Sequence, residues 1–407
     1  MISERDAEIL VERLIRRIEQ ANTYFLMKMG ASVRQIRELK PSEAQRLVQM
    51  LKYGTSYDDI IRELAKYTDM NVKDLDDIFS AYAKKDREFY KQFYQYRRLP
   101  FVESEAMRRQ RLALTRLAQN EMYNFTRTNV LGYTIRDLKG NPQFLGLRET
   151  YNRVLDEALL NVGQGKESFD SAMTRIMKEI GGSGLKTVDF ESGRSMRLDS
   201  AVRMQLKGRL RELHNENQKI IGEEIGSNGV EISTHSHPAP DHLMQGHQFS
   251  NEEFEKLQSG QEATDYKGKK FTLDHDGNGS YRPISEMSCY HYVFSIILGI
   301  SQPEYNEEEL QKIIDENNEG FNFENKHYTM YQGEQLLRKV ELELRKSKDI
   351  QILARSSNNV ELVGEMQSRI TQLTSKYRDI LKASGLKSKL ERAKVSGYRR
   401  VNIAKMK

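Results

Sequence analysis

The 407-residue sequence contains no tryptophan, a single cysteine and only seven prolines. One thiol excludes an intramolecular disulfide and points to synthesis in a reducing cytoplasm. So few prolines leave long stretches free to be helical, because proline breaks helices. Without tryptophan, the 20 tyrosines and 15 phenylalanines must supply the aromatic packing. No run approaches the roughly 20 apolar residues that span a bilayer. The longest candidate, Val293 to Ile300, reads as a core segment. The start, MISERDAEILVERL, has no basic stretch followed by an apolar run, so it reads as no secretion signal. Charged residues are 30% and apolar residues 38%, a balance that favours long, exposed helices over one large core.

Charge is unevenly spread. From Gly385 to Lys407 there are eight Lys or Arg and one acid, Glu391. That segment carries +7, more than the +5 of the whole chain. Lys387, Lys389, Arg392, Lys394, Arg399 and Arg400 are candidate contacts to nucleic acid or to an acidic protein surface. The plainer reading is a solvated, frayed terminus.

Periodicity predicts a predominantly helical α+β protein. Ile9, Leu10, Leu14, Ile15 and Ile18 recur at helical spacing. Pro41 to Gln45 reads as a helix start with Ser42 as the cap. Asn71 to Arg98 and Glu103 to Thr128 read as helices, and residues 144–230 as helical with one break. That break, Thr187 to Leu198, reads as a hairpin turning near Ser192-Gly193. The aromatic and basic run Phe89 to Arg98 suits packing better than base stacking. Ser200 to Ile225 reads as a long helix ended by Gly226, and Gly229 to Thr234 as a strand. Lys270 to Leu273 followed by Asp274 to Gly279 gives a second hairpin signal. Val363, Met366, Ile370, Leu373, Tyr377 and Ile380 form a stripe of coiled-coil type, with Leu337, Val340 and Leu344 as its partner. These features predict an antiparallel helical hairpin turning near Ser356 to Asn359. The expected divisions are a helical partner-binding region, 1–140; an α+β module, 141–305; and a helical hairpin with a basic tail, 306–407.

Seven of the eight histidines lie between His235 and His327, and Cys289 lies among them. His235 and His237 share the face of a strand if one forms there, and Cys289 and His291 repeat the spacing. Two such pairs could make a tetrahedral zinc site. The spacing departs from usual zinc motifs, and hydrogen-bonded histidines beside a small buried cysteine explain the same letters. Asp274, Asp276 and Asn278 match the opening of a calcium loop, but position twelve is Ser285 where a glutamate is needed. An Asp/Asn/Gly turn accounts for them equally well. A histidine beside Asp241, or Cys289 beside a histidine, could act as base or nucleophile. That is the basis of an alternative function, a metal-dependent enzyme, nuclease-like or host-modifying.

The segment from Arg282-Pro283 through Ser288-Cys289-Tyr290-His291 to Gly299-Ile300-Ser301 resembles the signature of the phage minor capsid protein 2 family. These proteins are relatives, at least in role, of the Mu F-like head-morphogenesis proteins of tailed phages. Ser288 stands where the family signature has asparagine. Upstream, Glu231 to His235, Pro240-Asp241-His242 and Gln245-Gly246 resemble a second block. Tyr328 to Arg345 resembles the helix before the hairpin. The resemblance implies structural roles for His242, Gln245, Gly246, Arg282, Pro283 and Gly299. It also implies a virion protein, of the capsid interior or portal vertex, with the portal as its partner and the major capsid or scaffolding protein as further candidates. Such a protein would aid procapsid assembly, genome packaging or DNA delivery, and no catalytic residue is assigned.

Overall fold

The computed structural model describes residues 3–69, 72–96, 98–137, 139–188, 194–240, 243–274, 279–285, 289 and 291–402. In chain order the elements begin with helices α1 (Glu4–Arg37), α2 (Pro41–Tyr53), α3 (Thr55–Thr68), α4 (Val72–Glu88), α5 (Lys91–Tyr96) and α6 (Glu105–Thr126). Strands β1 (Leu131–Arg136) and β2 (Pro142–Gly146) precede α7 (Leu147–Asn161) and α8 (Lys166–Ser183). Then come β3 (Lys186–Val188), β4 (Ser195–Arg197), α9 (Leu198–Ile225), β5 (Gly229–Ile232), β6 (Gln248–Ser250) and α10 (Asn251–Gln258). The short strands β7 (Ala263–Thr264) and β8 (Lys270–Phe271) are followed by β9 (Val293–Ile296) and α11 (Glu307–Glu319). The chain closes with β10 (Phe321–Phe323), β11 (Lys326–Tyr328), α12 (Met330–Ser356) and α13 (Val360–Ser384). The protein is α+β and predominantly helical, as the periodicity predicts.

Two compact units share the chain, each built from separated segments. The second unit comprises Arg13–Met70, Glu121–Arg203 and Gln335–Lys407. Its sheet has the antiparallel order β2-β1-β3-β4. The β1–β2 pair is a correction, since the sequence reading placed residues from 144 onward in helix. Tyr133, Thr134 and Ile135 favour extended backbone, and the loop closes where the Asp137 carboxylate accepts the amides of Lys139 and Asn141 at 2.8 Å. The expected 187–198 hairpin is present as β3 and β4, and its turn lies outside the described residues.

The C-terminal hairpin forms as expected. Asn359 accepts from the Leu362 amide at 3.0 Å and starts α13. Val363, Met366, Ile370, Tyr377 and Ile380 are buried, as are Leu337, Val340 and Leu344 on α12. Burying each such side chain is worth roughly 1.5–3 kcal/mol. The surface pair Arg369–Glu343 across the hairpin, at 2.8 Å, contributes at most about 1 kcal/mol. The apolar seam therefore dominates. Gly181 on α8 permits close packing on α12, since an added Cβ would lie 2.7 Å from the Ile350 backbone.

Beyond α13 the described part of the basic tail, residues 385–402, is ordered against the protein. It lies as a strap on its own unit through Asn402. Ala393 is fully buried. Lys348 Nζ donates to the Ala393 carbonyl at 2.5 Å, Thr23 Oγ1 to that of Ser396 at 2.8 Å, and the Val401 amide to Gln367 Oε1 at 2.9 Å.

The first unit comprises Met1–Glu12, Asn71–Asn120 and Met204–Glu334. Its centre is a three-stranded antiparallel sheet, β6-β5-β9. Ile232, Met244, Phe249, Leu257, Ala263, Leu273 and Ile284 pack into one core cluster beside it. The expected helix over 71–98 is interrupted after Glu88 by a turn at Phe89-Tyr90 that buries the Tyr90 ring and leaves Phe89 partly exposed at the surface of the unit. Phe89 meets Phe294 with centroids 5.4 Å apart, and the Tyr90 hydroxyl donates to Gln218. This is the packing role expected of that run. One local expectation changes. At α2, Pro41 is the first helical residue, and Glu43 accepts from the Lys40 amide at 3.2 Å, so Ser42 is not the cap. Strand β8 pairs with β7 across the turn at Asp265–Lys269, a pairing the sequence reading did not contain, and residues 275–278 of the expected turn lie outside the described residues.

Candidate functional site

Residues of the histidine region meet in the first unit around the loop that leaves β5. Gln245 is its keystone. Its Oε1 accepts from the His235 amide at 2.8 Å, and its Nε2 donates to the His235 carbonyl at 3.2 Å. One buried carboxamide thus satisfies both backbone groups of one residue, as a strand partner would. The backbone amide fixes which end of the carboxamide is oxygen, and His291 Nε2 lies 3.2 Å from that same oxygen. His291 therefore carries its proton on Nε2 and turns Nδ1, an acceptor, toward Cys289 Sγ at 3.4 Å. The His235 and His291 rings lie 4.3 Å apart. Burial pushes the Cys289 thiol up, so it stays protonated and donates to Nδ1. A buried, protonated thiol is neither an activated nucleophile nor a thiolate ligand.

Of the four residues in the expected zinc set, three gather and one departs. His237 turns to Glu334, with Nδ1 3.2 Å from Oε1. Among the described residues, no three of the four bring ligand atoms within 4.8 Å of one another. For the calcium loop, Asp276 and Asn278 lie outside the described residues, as do Asp241 and His242. Asp274 Oδ2 accepts from the Gly279 amide at 2.7 Å, which is what a polar turn requires.

Two of the family-motif glycines lie in tight turns. Gly246 has φ +75° and donates to the Ile232 carbonyl at 2.7 Å. A Cβ there would overlap Leu310 and lie 2.9 Å from Thr234 Cγ2. Gly299, at φ +81°, lies in the turn after β9, where the Ser301 amide reaches the Ile297 carbonyl at 2.8 Å. After half-buried Arg282 and Pro283, the backbone of Ile284 is clasped by the Gln258 carboxamide at 2.7 and 2.9 Å, repeating the device of Gln245.

Two polar contacts escaped the sequence reading. His214 on α9 is fully buried, with Nδ1 2.8 Å from Asp86 and Nε2 2.8 Å from the Val293 carbonyl. His247, just before β6, places Nδ1 2.7 Å from Asp265 and 3.8 Å from Glu307. Burial lowers the His247 pKa against the opposing pull of Asp265. His214 lies outside the dense histidine run. His247 lies within it, but its partners are 18 and 60 residues away.

A buried, hydrogen-bonded cluster set among rigid turns belongs to a structural module, one that fastens loops to a sheet. A family model for phage minor capsid protein 2 matches residues 8–382. The chain belongs to that family and is a structural protein of the bacteriophage head. No curated protein and no solved structure matches it. No helix among the described residues is long and apolar enough to cross a membrane.

Proposed function

We propose that this minor head protein sits at the portal vertex, where it docks on the portal protein and aids procapsid assembly and the packaging or delivery of the genome. The family match over residues 8–382 carries the reading. The helical region 1–140 supplies partner contacts: Ile9, Met50, Tyr53, Val102 and Tyr123 are each more than 60% exposed there. Large apolar and aromatic side chains of this kind are enriched at interfaces. The strap offers its exposed Lys387, Lys394, Arg399 and Arg400 to packaged DNA, with Lys389 and Arg392 half-buried behind them. The test is co-expression with the portal protein encoded by the same phage, followed by size-exclusion chromatography with light scattering. The reading expects a complex of defined stoichiometry. Separate elution of the two proteins at micromolar concentration would refute portal docking and leave family membership intact.

A further inference from the structure

We propose that His247, Asp265 and Glu307 form a site for a divalent first-row cation such as zinc or manganese. The three come from different places: the residue before β6, the β7–β8 turn and the first turn of α11. Each offers one ligand atom, and these atoms all lie within 4.8 Å of one another. Bonds of about 2.0–2.2 Å to a shared ion separate tetrahedral ligands by roughly 3.3–3.6 Å. The observed 2.7 Å from His247 Nδ1 to Asp265 Oδ2 and 3.8 Å to Glu307 Oε1 bracket that spacing. Small side-chain shifts would complete it.

Three further features support the assignment. Asp265 Oδ1 accepts from the amides of Lys267 at 3.0 Å and Lys269 at 2.7 Å, which aims Oδ2 at the imidazole. Such outer contacts orient metal ligands. His247 and Asp265 are buried while Glu307 is half-exposed, so the site is walled on one side and open on the other. The Phe271 ring, 4.5 Å from that of His247, forms part of the wall. Two carboxylates and one imidazole match a doubly charged ion of intermediate softness.

Lys267 Nζ, 3.3 Å from Glu307 Oε1, and Lys269 Nζ, 3.8 Å from Oε2, compete for the same carboxylate. Both lysines are about half exposed and can swing into water when an ion binds. The ion would clamp α11 to the edge of the central sheet, a stabilising role that requires no reaction.

The experiment uses the full chain, stripped with chelator and titrated with zinc chloride and, separately, manganese chloride. Elemental analysis after dialysis and thermal melting are the readouts. The proposal expects one ion per chain for at least one metal and a melting temperature that rises with its concentration. Glu307→Gln should melt like the stripped wild type without metal and bind at least about tenfold more weakly. Lys267→Met with Lys269→Met should bind more tightly, because the competing ammoniums are gone. Retention of neither metal would overturn the proposal, as would a Glu307→Gln protein that binds as well as wild type.

Discussion

His214 Nδ1 lies 2.8 Å from Asp86 Oδ1, both side chains fully enclosed and 128 residues apart in sequence. Both ring nitrogens face oxygen acceptors, Asp86 on one edge and the Val293 carbonyl on the other. Tyr292 and Phe294 stand edge-on at 5.0 and 5.1 Å. The contact ties α4 and α9 to β9, so it anchors the strand that carries the family signature.

Removing one partner leaves the other buried and unpaired. Asp86→Ala should cost about 3–5 kcal/mol of unfolding free energy. Asp86→Asn, which keeps one hydrogen bond, should cost about 1–3 kcal/mol. Urea titration of the three proteins at pH 7 gives the comparison. A loss below about 1 kcal/mol for Asp86→Ala would show that the pair holds nothing together.

A second buried network separates two aspartates. Arg197 lies 3.2 Å from both Asp199 and Asp349, and Arg345 lies 2.5 Å from Asp199. Burial raises both carboxyls. At Asp199 the two guanidiniums overcome it and hold the group well below the usual carboxylate range. At Asp349 burial prevails and the group is raised. A lowered carboxyl stabilises the fold above its unfolded value of about 3.9 and loses that contribution as pH falls through the folded value. Asp199→Asn should therefore cost about 3–5 kcal/mol at pH 7. Its deficit against wild type should shrink as pH drops below about 4. Asp349→Asn removes a charge that burial disfavours and should cost less. Melting curves from pH 2 to 7 test the order, and an Asp349→Asn deficit equal to or above that of Asp199→Asn would contradict it.

Gly246 combines positive φ with a crowded Cα. Gly246→Ala should destabilise by about 2–4 kcal/mol, through backbone strain and displacement of Leu310. Gly208, inside α9 with nothing within 4 Å of an added Cβ, is the control. Gly208→Ala should stabilise by about 0.5–1 kcal/mol. Equal effects from the two substitutions would rule out a special role for Gly246.

The strap presents four exposed bases, Lys387, Lys394, Arg399 and Arg400. If each meets one phosphate, the logarithm of affinity for a random-sequence duplex should fall with the logarithm of salt with a slope of about −0.9 per contact, or roughly −3.6. Replacing all four by glutamine should abolish the slope without lowering the melting temperature, since the strap is held mainly through its backbone. Fluorescence anisotropy at several salt concentrations decides. A slope near zero in the wild type would remove DNA from the list of partners.

What could be read ahead of the structure followed the range of the interactions. The hairpin was legible because its stripe repeats locally: Val363 to Ile380 needs only a neighbour such as Leu337 to Leu344. The signature from Arg282 to Gly299 was legible as a resemblance. The pairing of His235 with Cys289 and His291 was half legible, since residue types suggest proximity while nothing local marks Gln245 as the side chain that joins them. His214–Asp86 and His247–Asp265–Glu307 were illegible, because nothing local distinguishes a histidine whose partner arrives from a distant helix or turn. The β7 partner of β8 was illegible for a different reason. Two turn-rich stretches flank Lys270-Phe271, and the Asp265 carboxylate, which accepts the amides of Lys267 and Lys269, closes the earlier one.

The most direct test is quantitative mass spectrometry of purified procapsids and mature heads, with the portal protein as an internal standard. The account predicts this chain in both particles, in low copy number comparable to the portal and far below the major capsid protein. Its absence from both particles would contradict a place in the head.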